Sequence, residues 1–367
     1  MFSDSDSNPV VRAGGLTFPP KCCTLQPCCK FNFIGRPSMS EKMNRRSFVK
    51  STVLGTTMAT AAGVSALTSD AYGNDPFPPL QKQREVPTGT IAGVEFSRMM
   101  LGGNLITHIS HSRDLQYVNT LAAHYNTPQK ILETMRIAEE HGINTVVLPT
   151  VPSALEGLKE YRKRGGTIKC IIFSIAPIED DMAEYTQSCQ HSIDVGADAL
   201  YLWGAQADAM IDTESTPHAC CAPPGRTDLF KKAVNTMRSF GVPVGVAAHR
   251  LEVIEFCEQE KIKNDFYLKT FHHRNYPSVN INYDSSWCDD PGKLIEVFSK
   301  IEKPWIAYKV MAAGAIPPKN ALDYAFTNGA DFVVFGMFDF EIDEDTRLLN
   351  EVLAQENVKN RPRKWFG

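Results

Sequence analysis

The run Asp265–Tyr276 reads Asp-Phe-Tyr-Leu-Lys-Thr-Phe-His-His-Arg-Asn-Tyr, a β-type stretch that ends in titratable and aromatic side chains. Lys269, His272 and His273 are costly to bury without a partner or a purpose, so they mark a candidate site. Comparable side chains follow other apolar runs: Asn104 with His108 and His111, then His249, Lys309 and Asp339. Imidazoles and a carboxylate delivered by separate strands can hold an open divalent metal centre whose bound water attacks a substrate. His249, His272 and Asp339 are the expected ligands, with His273 as acid or base, Asn104 as orienter, and Lys269 and Lys309 as electrophilic or anion-holding groups. A second chemistry needs only the lysines. Two ammonium groups on adjacent strands depress one pKa and give a nucleophilic amine for a Schiff base. Strand alternation turns Lys269 and Lys309 inward if Leu268, Thr270, Tyr308 and Val310 point the other way. Anion binding by Lys309 with Gly314 and Gly336 is a third option, weakened by Asp339 and Glu341 just beyond. Taken singly, each histidine is as readily a strand-end cap bonded to a backbone carbonyl.

These residues converge only if a scaffold brings strand ends together. Eight apolar runs read as strands: Met99–Asn104, Asn144–Leu148, Ile168–Ile175, Ala199–Trp203, Val244–Ala248, Phe266–Phe271, Trp305–Val310 and Phe332–Gly336. Between and after them lie amphipathic helical patterns, from Pro128–His141 to Glu344–Gln355. Eight strand–helix units predict a single-domain α/β (β/α)₈ TIM barrel over residues 91–367; a doubly wound sheet is disfavoured because Gly102-Gly103-Asn104 is no GxGxxG. Helix-to-strand turns are short, whereas Leu105–Thr127, Gly204–Thr227 and His272–Asp290 are long. All three long connections fall on the C-terminal face, where barrels keep their active sites. The second of them, after the fourth strand, carries His218-Ala219-Cys220-Cys221, a metal clamp, a redox pair or a disulfide partner for Cys288; Trp203, Tyr276, Tyr283 and Trp287 add aromatic surface.

The 367 residues are 43% hydrophobic with a net charge of −4, which fits a large core and gives no basic surface for nucleic acid. Met43-Asn44-Arg45-Arg46-Ser47-Phe48-Val49-Lys50, the mildly apolar Ser51–Leu67 and the small-residue site Ala71-Tyr72-Gly73 resemble a twin-arginine (Tat) signal peptide, residues 43–73. That resemblance implies the Tat translocase as a partner, periplasmic localisation and no stable membrane insertion after cleavage. Folded export also favours a cofactor acquired beforehand. Residues 1–42 form an extension ahead of the signal, as if translation began at Met39 or Met43, and 74–90 form a Pro-rich linker.

Val94–Asn104 resembles the opening strand of the aldo/keto reductases, and Ile137–Thr145 resembles their first helix running into strand two. The resemblance implies a (β/α)₈ barrel. It carries no reductase tetrad, because the places of the Asp, Tyr, Lys and His hold Val147, Pro152, Ser174 and Trp203. Nicotinamide is therefore not expected. The histidine and aspartate placement is similar to that of metal-dependent amidohydrolases, without their strand-one His-x-His. The lysine strands, with Ala313-Gly314-Ala315-Ile316 following, are similar to those of deoxyribose-phosphate aldolases. The sequence-based expectation is an exported, metal-assisted hydrolase or lyase acting on a small polar or carbohydrate-derived substrate. A Schiff-base lyase and a non-catalytic ligand-binding barrel are the alternatives.

Overall fold

A computed structural model describes residues 75–113, 115, 117–212, 222–279 and 288–367. The signal region, the Cys220-Cys221 pair, His218, Tyr283 and Trp287 lie outside these residues.

An antiparallel hairpin opens the fold, β1 (Thr88–Ile91) and β2 (Val94–Ser97). Eight parallel strands follow, β3 (Met99–Gly102), β4 (Thr145–Pro149), β5 (Lys169–Phe173), β6 (Ala199–Leu202), β7 (Val244–Ala248), β8 (Phe266–Thr270), β9 (Trp305–Tyr308) and β10 (Phe332–Phe335). They pair in chain order and close through β10 against β3, so the expected (β/α)₈ barrel is present. The helices, in chain order, are α1 (Tyr117–Tyr125), α2 (Pro128–Glu140), α3 (Pro152–Lys163), α4 (Ala183–Asp194), α5 (Gly204–Ile211), α6 (Thr227–Arg238), α7 (Leu251–Gln259), α8 (Pro291–Phe298), α9 (Pro318–Thr327), α10 (Ile342–Leu353) and α11 (Glu356–Lys359). Two of them, α1 and α5, sit inside connections that the sequence leaves as long loops. Among the described residues no helix is long and apolar enough to cross a membrane.

Local chemistry sets several boundaries. The Thr127 hydroxyl accepts from Lys130 N and Pro128 fills the first helical position, which starts α2. Asp290 and Pro291 do the same for α8. Gly142 ends α2 at φ +85°, and a Cβ there would run into the backbone of Arg84–Val86, so only glycine lets the linker cross.

Two apolar layers form. One lies between strands and helices; the other fills the barrel with Met100, Val147, Ile171, Ala199, Tyr201, Ala247, Phe266, Leu268, Ile306 and Phe332, floored by Ile91 and Phe96 of the hairpin. At the floor, Asp331 is fully buried and its carboxylate accepts from Arg361 Nη2 at 2.6 Å, Arg363 Nη1 at 2.7 Å, Trp305 N at 2.9 Å and Phe366 N at 3.0 Å. Burial depresses the Arg361 guanidinium to about 10, while Asp331 favours its charged form. Removing the anion strands two buried cations. Asp331→Ala is expected to cost about 3–5 kcal/mol of stability in denaturant unfolding; a loss below 1 kcal/mol would mean that water or the chain terminus replaces the carboxylate.

Candidate active site

The chemistry gathers at the C-terminal mouth and is organised by the alternation of β7. Gly245 and Ala247 face the barrel interior, Val246 and Ala248 the helices, so His249, one step past the strand, turns inward. Its Nδ1 lies 2.7 Å from Asp208 Oδ2, and Asp208 also accepts the backbone N–H groups of His249 (3.2 Å) and Arg250 (3.1 Å). Asp208 rides on α5, which begins directly after β6. The bond makes Nδ1 the protonated nitrogen and Nε2 the basic one. Burial lowers the imidazole to about 4; Asp208 opposes the shift, and the charges of Lys309 and Lys269 add to it.

Aromatic rings stand at the same mouth. Phe173 from β5 stands 5.0 Å from Tyr201 and 6.0 Å from Trp203, centroid to centroid, forming a shelf at the ends of neighbouring strands. Tyr308 from β9 lies 5.6 Å from the His249 imidazole, its hydroxyl donating to Ala248 O at 3.1 Å. Gly204 closes the approach: a Cβ there would stand 3.0 Å from the Tyr308 hydroxyl and 3.2 Å from His249 Cε1. Lys309 follows Tyr308 in a left-handed conformation. On the neighbouring strand, Gly336 follows β10, and a Cβ on it would meet nothing within 4 Å. Part of the rim is therefore open.

The expected ligands do not converge. Asp339 accepts from Tyr125 Oη at 2.6 Å and Lys130 Nζ at 3.1 Å, so it ties α1 and α2 together. His272 is buried, donates from Nδ1 to His273 O at 3.0 Å and stands against Tyr276; among the described residues its Nε2 has no hydrogen-bond partner. His273 packs its ring against Tyr324 of α9, 5.3 Å away, and its Nδ1 accepts from Asn275 N. His108 Nε2 meets Asn126 O at 2.8 Å, fastening the first loop. Asn104 lies half-buried two residues past β3, where its carbonyl accepts from Ile109 N. Among the described residues, no three His, Cys, Asp or Glu side chains come together to hold a metal ion.

The lysine pair is corrected too. Leu268 and Tyr308 belong to the barrel interior, so Lys269 points outward between barrel and helices, 1% exposed. Its Nζ donates to His249 O, Thr270 Oγ1 and Thr270 O, and no substrate carbonyl reaches it. Asp208 and Tyr308 escape the sequence reading. The one signal for Asp208 is an acidic residue amid alanines, Gly-Ala-Gln-Ala-Asp-Ala, immediately after the fourth barrel strand. A cavity of about 830 Å³ at the opposite end, beside the linker and α10, includes Glu139 and Asn144. The Glu139 carboxylate accepts from Tyr161 Oη and Thr167, and Asn144 Oδ1 from Ser97 N, so that cavity offers no comparable acid–base pair.

Solved structures share this architecture. An aldo-keto reductase assignment from Pseudomonas aeruginosa matches with a TM-score of 0.50 at 13% identity, covering 75% of this chain and 99% of that one. A glycerol dehydrogenase from Gluconobacter oxydans gives 0.45 at 10% identity, covering 73% and 95%. A protein solved in complex with NADPH gives 0.48 at 10% identity, covering 76% and 93%. No family profile and no curated protein matches. The chain therefore has the fold of the aldo/keto reductase-like (β/α)₈ barrels. The expectation of a metal-assisted hydrolase or lyase is overturned by the scattered ligands, and the Schiff-base alternative by the outward lysine. Excluding nicotinamide is likewise overturned: the fold shared with the aldo/keto reductase-like barrels leaves a nicotinamide site open.

Burial holds both His249 and His272 near 4 against an ordinary 6.5. Above pH 6.5 both are neutral folded or unfolded; as pH falls toward 4 the unfolded chain takes up protons that the native state refuses. Stability is thus fully present above pH 6.5 and falls by on the order of 3 kcal/mol per histidine by pH 4. Asp345, pushed up to about 7 by burial, acts with the opposite sign over much of this window. Comparing urea unfolding of wild type and His272→Gln at pH 7 and pH 4.5 isolates one histidine, and the variant is expected to lose less stability. Equal losses would refute this assignment.

Proposed function

We propose that this barrel is an oxidoreductase interconverting a carbinol and a carbonyl, with His249 as the proton acceptor and donor. The observation that carries this reading is the Asp208–His249 pair at the barrel mouth. Asp208 fixes the imidazole tautomer and favours the imidazolium that forms as the substrate O–H proton arrives at Nε2. In the reverse direction the same nitrogen protonates the carbonyl oxygen. His249 thus takes a role that the missing reductase tetrad cannot fill.

The residues fit a nicotinamide. Tyr308 offers a half-buried ring on which a planar group stacks, Gly336 leaves open space beside it, and Lys309 brings positive charge to the same rim. Bound there, the cofactor would supply the acceptor for the carbinol hydrogen and its electron pair. The Phe173–Trp203 shelf at the same mouth suits a flat, apolar face of the substrate. Purified protein with NAD⁺ or NADP⁺ and a panel of aryl and alkyl alcohols is expected to reduce the cofactor, read at its near-ultraviolet band. His249→Gln should lower kcat by about 10²–10⁴-fold, and Trp203→Ala should raise KM for aryl more than for alkyl substrates. Activity that survives His249→Gln would eliminate this function.

Export by the Tat pathway is proposed on the motif Arg45-Arg46 ahead of the apolar run. In a host with that pathway, Arg45→Lys with Arg46→Lys should trap the protein in the cytoplasm, as read by cell fractionation. Unchanged periplasmic delivery would exclude this route.

A further inference from the structure

Lys269 is an ammonium group buried to 1% exposure, and among the described residues its hydrogen bonds go to neutral oxygens: His249 O at 2.6 Å, Thr270 Oγ1 at 2.7 Å and Thr270 O at 3.1 Å. A cation in that setting costs several kcal/mol, so packing alone is a poor reason for it. A methionine of similar length would fill the same space. What the cation does there follows from its partner. Its Nζ reaches from the outer face of β8 across to the end of β7 and grips the carbonyl of the residue whose ring faces the mouth. The Thr270 hydroxyl reinforces that grip, lying 3.2 Å from the same carbonyl. On the other side Asp208 holds the His249 backbone N–H and Nδ1. The histidine is thereby pinned at nitrogen, carbonyl and ring.

We infer that Lys269 is a positioning residue for His249: it clamps the histidine's carbonyl and sets a buried positive charge near the ring, adding to the burial and the Lys309 charge that disfavour the imidazolium. This rests on the reading of His249 as proton acceptor. The charged and titratable groups acting on the pair are few. His249 senses Asp208, which favours its protonation, and Lys269 and Lys309, which oppose it. Lys269 senses Cys288, Asp208, Asp289 and Glu252, all favouring its charge against a burial that brings it down to about 8, and it acts in turn on the neighbouring His272. At neutral pH Lys269 is mainly charged, and it discharges as pH rises past about 8.

The experiment follows the His249 ring by histidine-labelled NMR, beside the pH dependence of kcat/KM. Lys269→Met is expected to raise the His249 pKa by about one to two units, the effect of deleting one charge a few ångströms away at an effective dielectric near 20. The acid limb of kcat/KM should rise with it, and Lys269→Arg should restore most of the shift. A folded Lys269→Met protein whose His249 titrates as in wild type overturns the inference. If Lys269→Met does not fold, Lys309→Gln protein with Lys269 intact carries the test. Its His249 signals should move a second time between pH 7 and pH 9, as Lys269 loses its proton. A flat response across that range overturns the inference equally. The titration needs no substrate, so a protein that oxidises no alcohol yet shows the coupling refutes the proposed activity and leaves the Lys269–His249 link standing.

Discussion

Everything at the mouth depends on which residues the strands turn inward, and that parity is anchored at the barrel floor. Phe266 and Phe332 occupy the lower interior with Ile91 and Phe96 from the hairpin. Phe266 takes so much of that space that its neighbour on β7 has to be Gly245, where an added Cβ would overlap the phenyl ring. Once those positions are settled, alternation does the rest: Leu268 faces in, Lys269 out, Ala247 in, and His249 emerges over the interior. A close-packed interior tolerates no half-step, because shifting a strand by one residue would exchange every inward side chain for an outward one.

The architecture was legible because its signals are local. Apolar runs, amphipathic periods and short helix-to-strand turns placed all eight barrel strands and their following helices near where they form. The parity of β8 was not legible. Phe-Tyr-Leu-Lys-Thr-Phe is buried on both faces, so hydrophobicity fails to say which side is the interior. Nor was the fate of Asp339 visible: its partners Tyr125 and Lys130 lie more than two hundred residues earlier in the chain, and only the closed ring brings β10's loop onto α1 and α2. Asp208 was hidden for a different reason. A helix nested in a long connection carries an alanine-rich pattern too short to separate from loop.

Buried charge is handled in three ways in this molecule. At the floor two guanidinium groups share one carboxylate and several carbonyls, a closed set whose members are all satisfied. At the mouth Asp208 faces a neutral imidazole and spends its acceptors on backbone amides. Between them Lys269 has neutral partners alone among the described residues. The first arrangement serves stability, since its loss would leave bare cations in an apolar layer. In the proposed reaction the other two hold a group whose protonation changes, which demands an environment close to balance.

The cysteines record a different property of this fold. Cys170 in β5, Cys189 in α4, Cys257 in α7 and Cys288 ahead of α8 are all buried thiols, and burial pushes each of them up, away from the thiolate that reacts. In the closed barrel they are inert. Each becomes nucleophilic only when its own stretch of the ring opens to solvent. Among the described residues these four thiols, all on the stretch from β5 to α8, therefore make a built-in chronometer for that part of the ring: the order in which a thiol-specific label reaches them gives the order in which its units open.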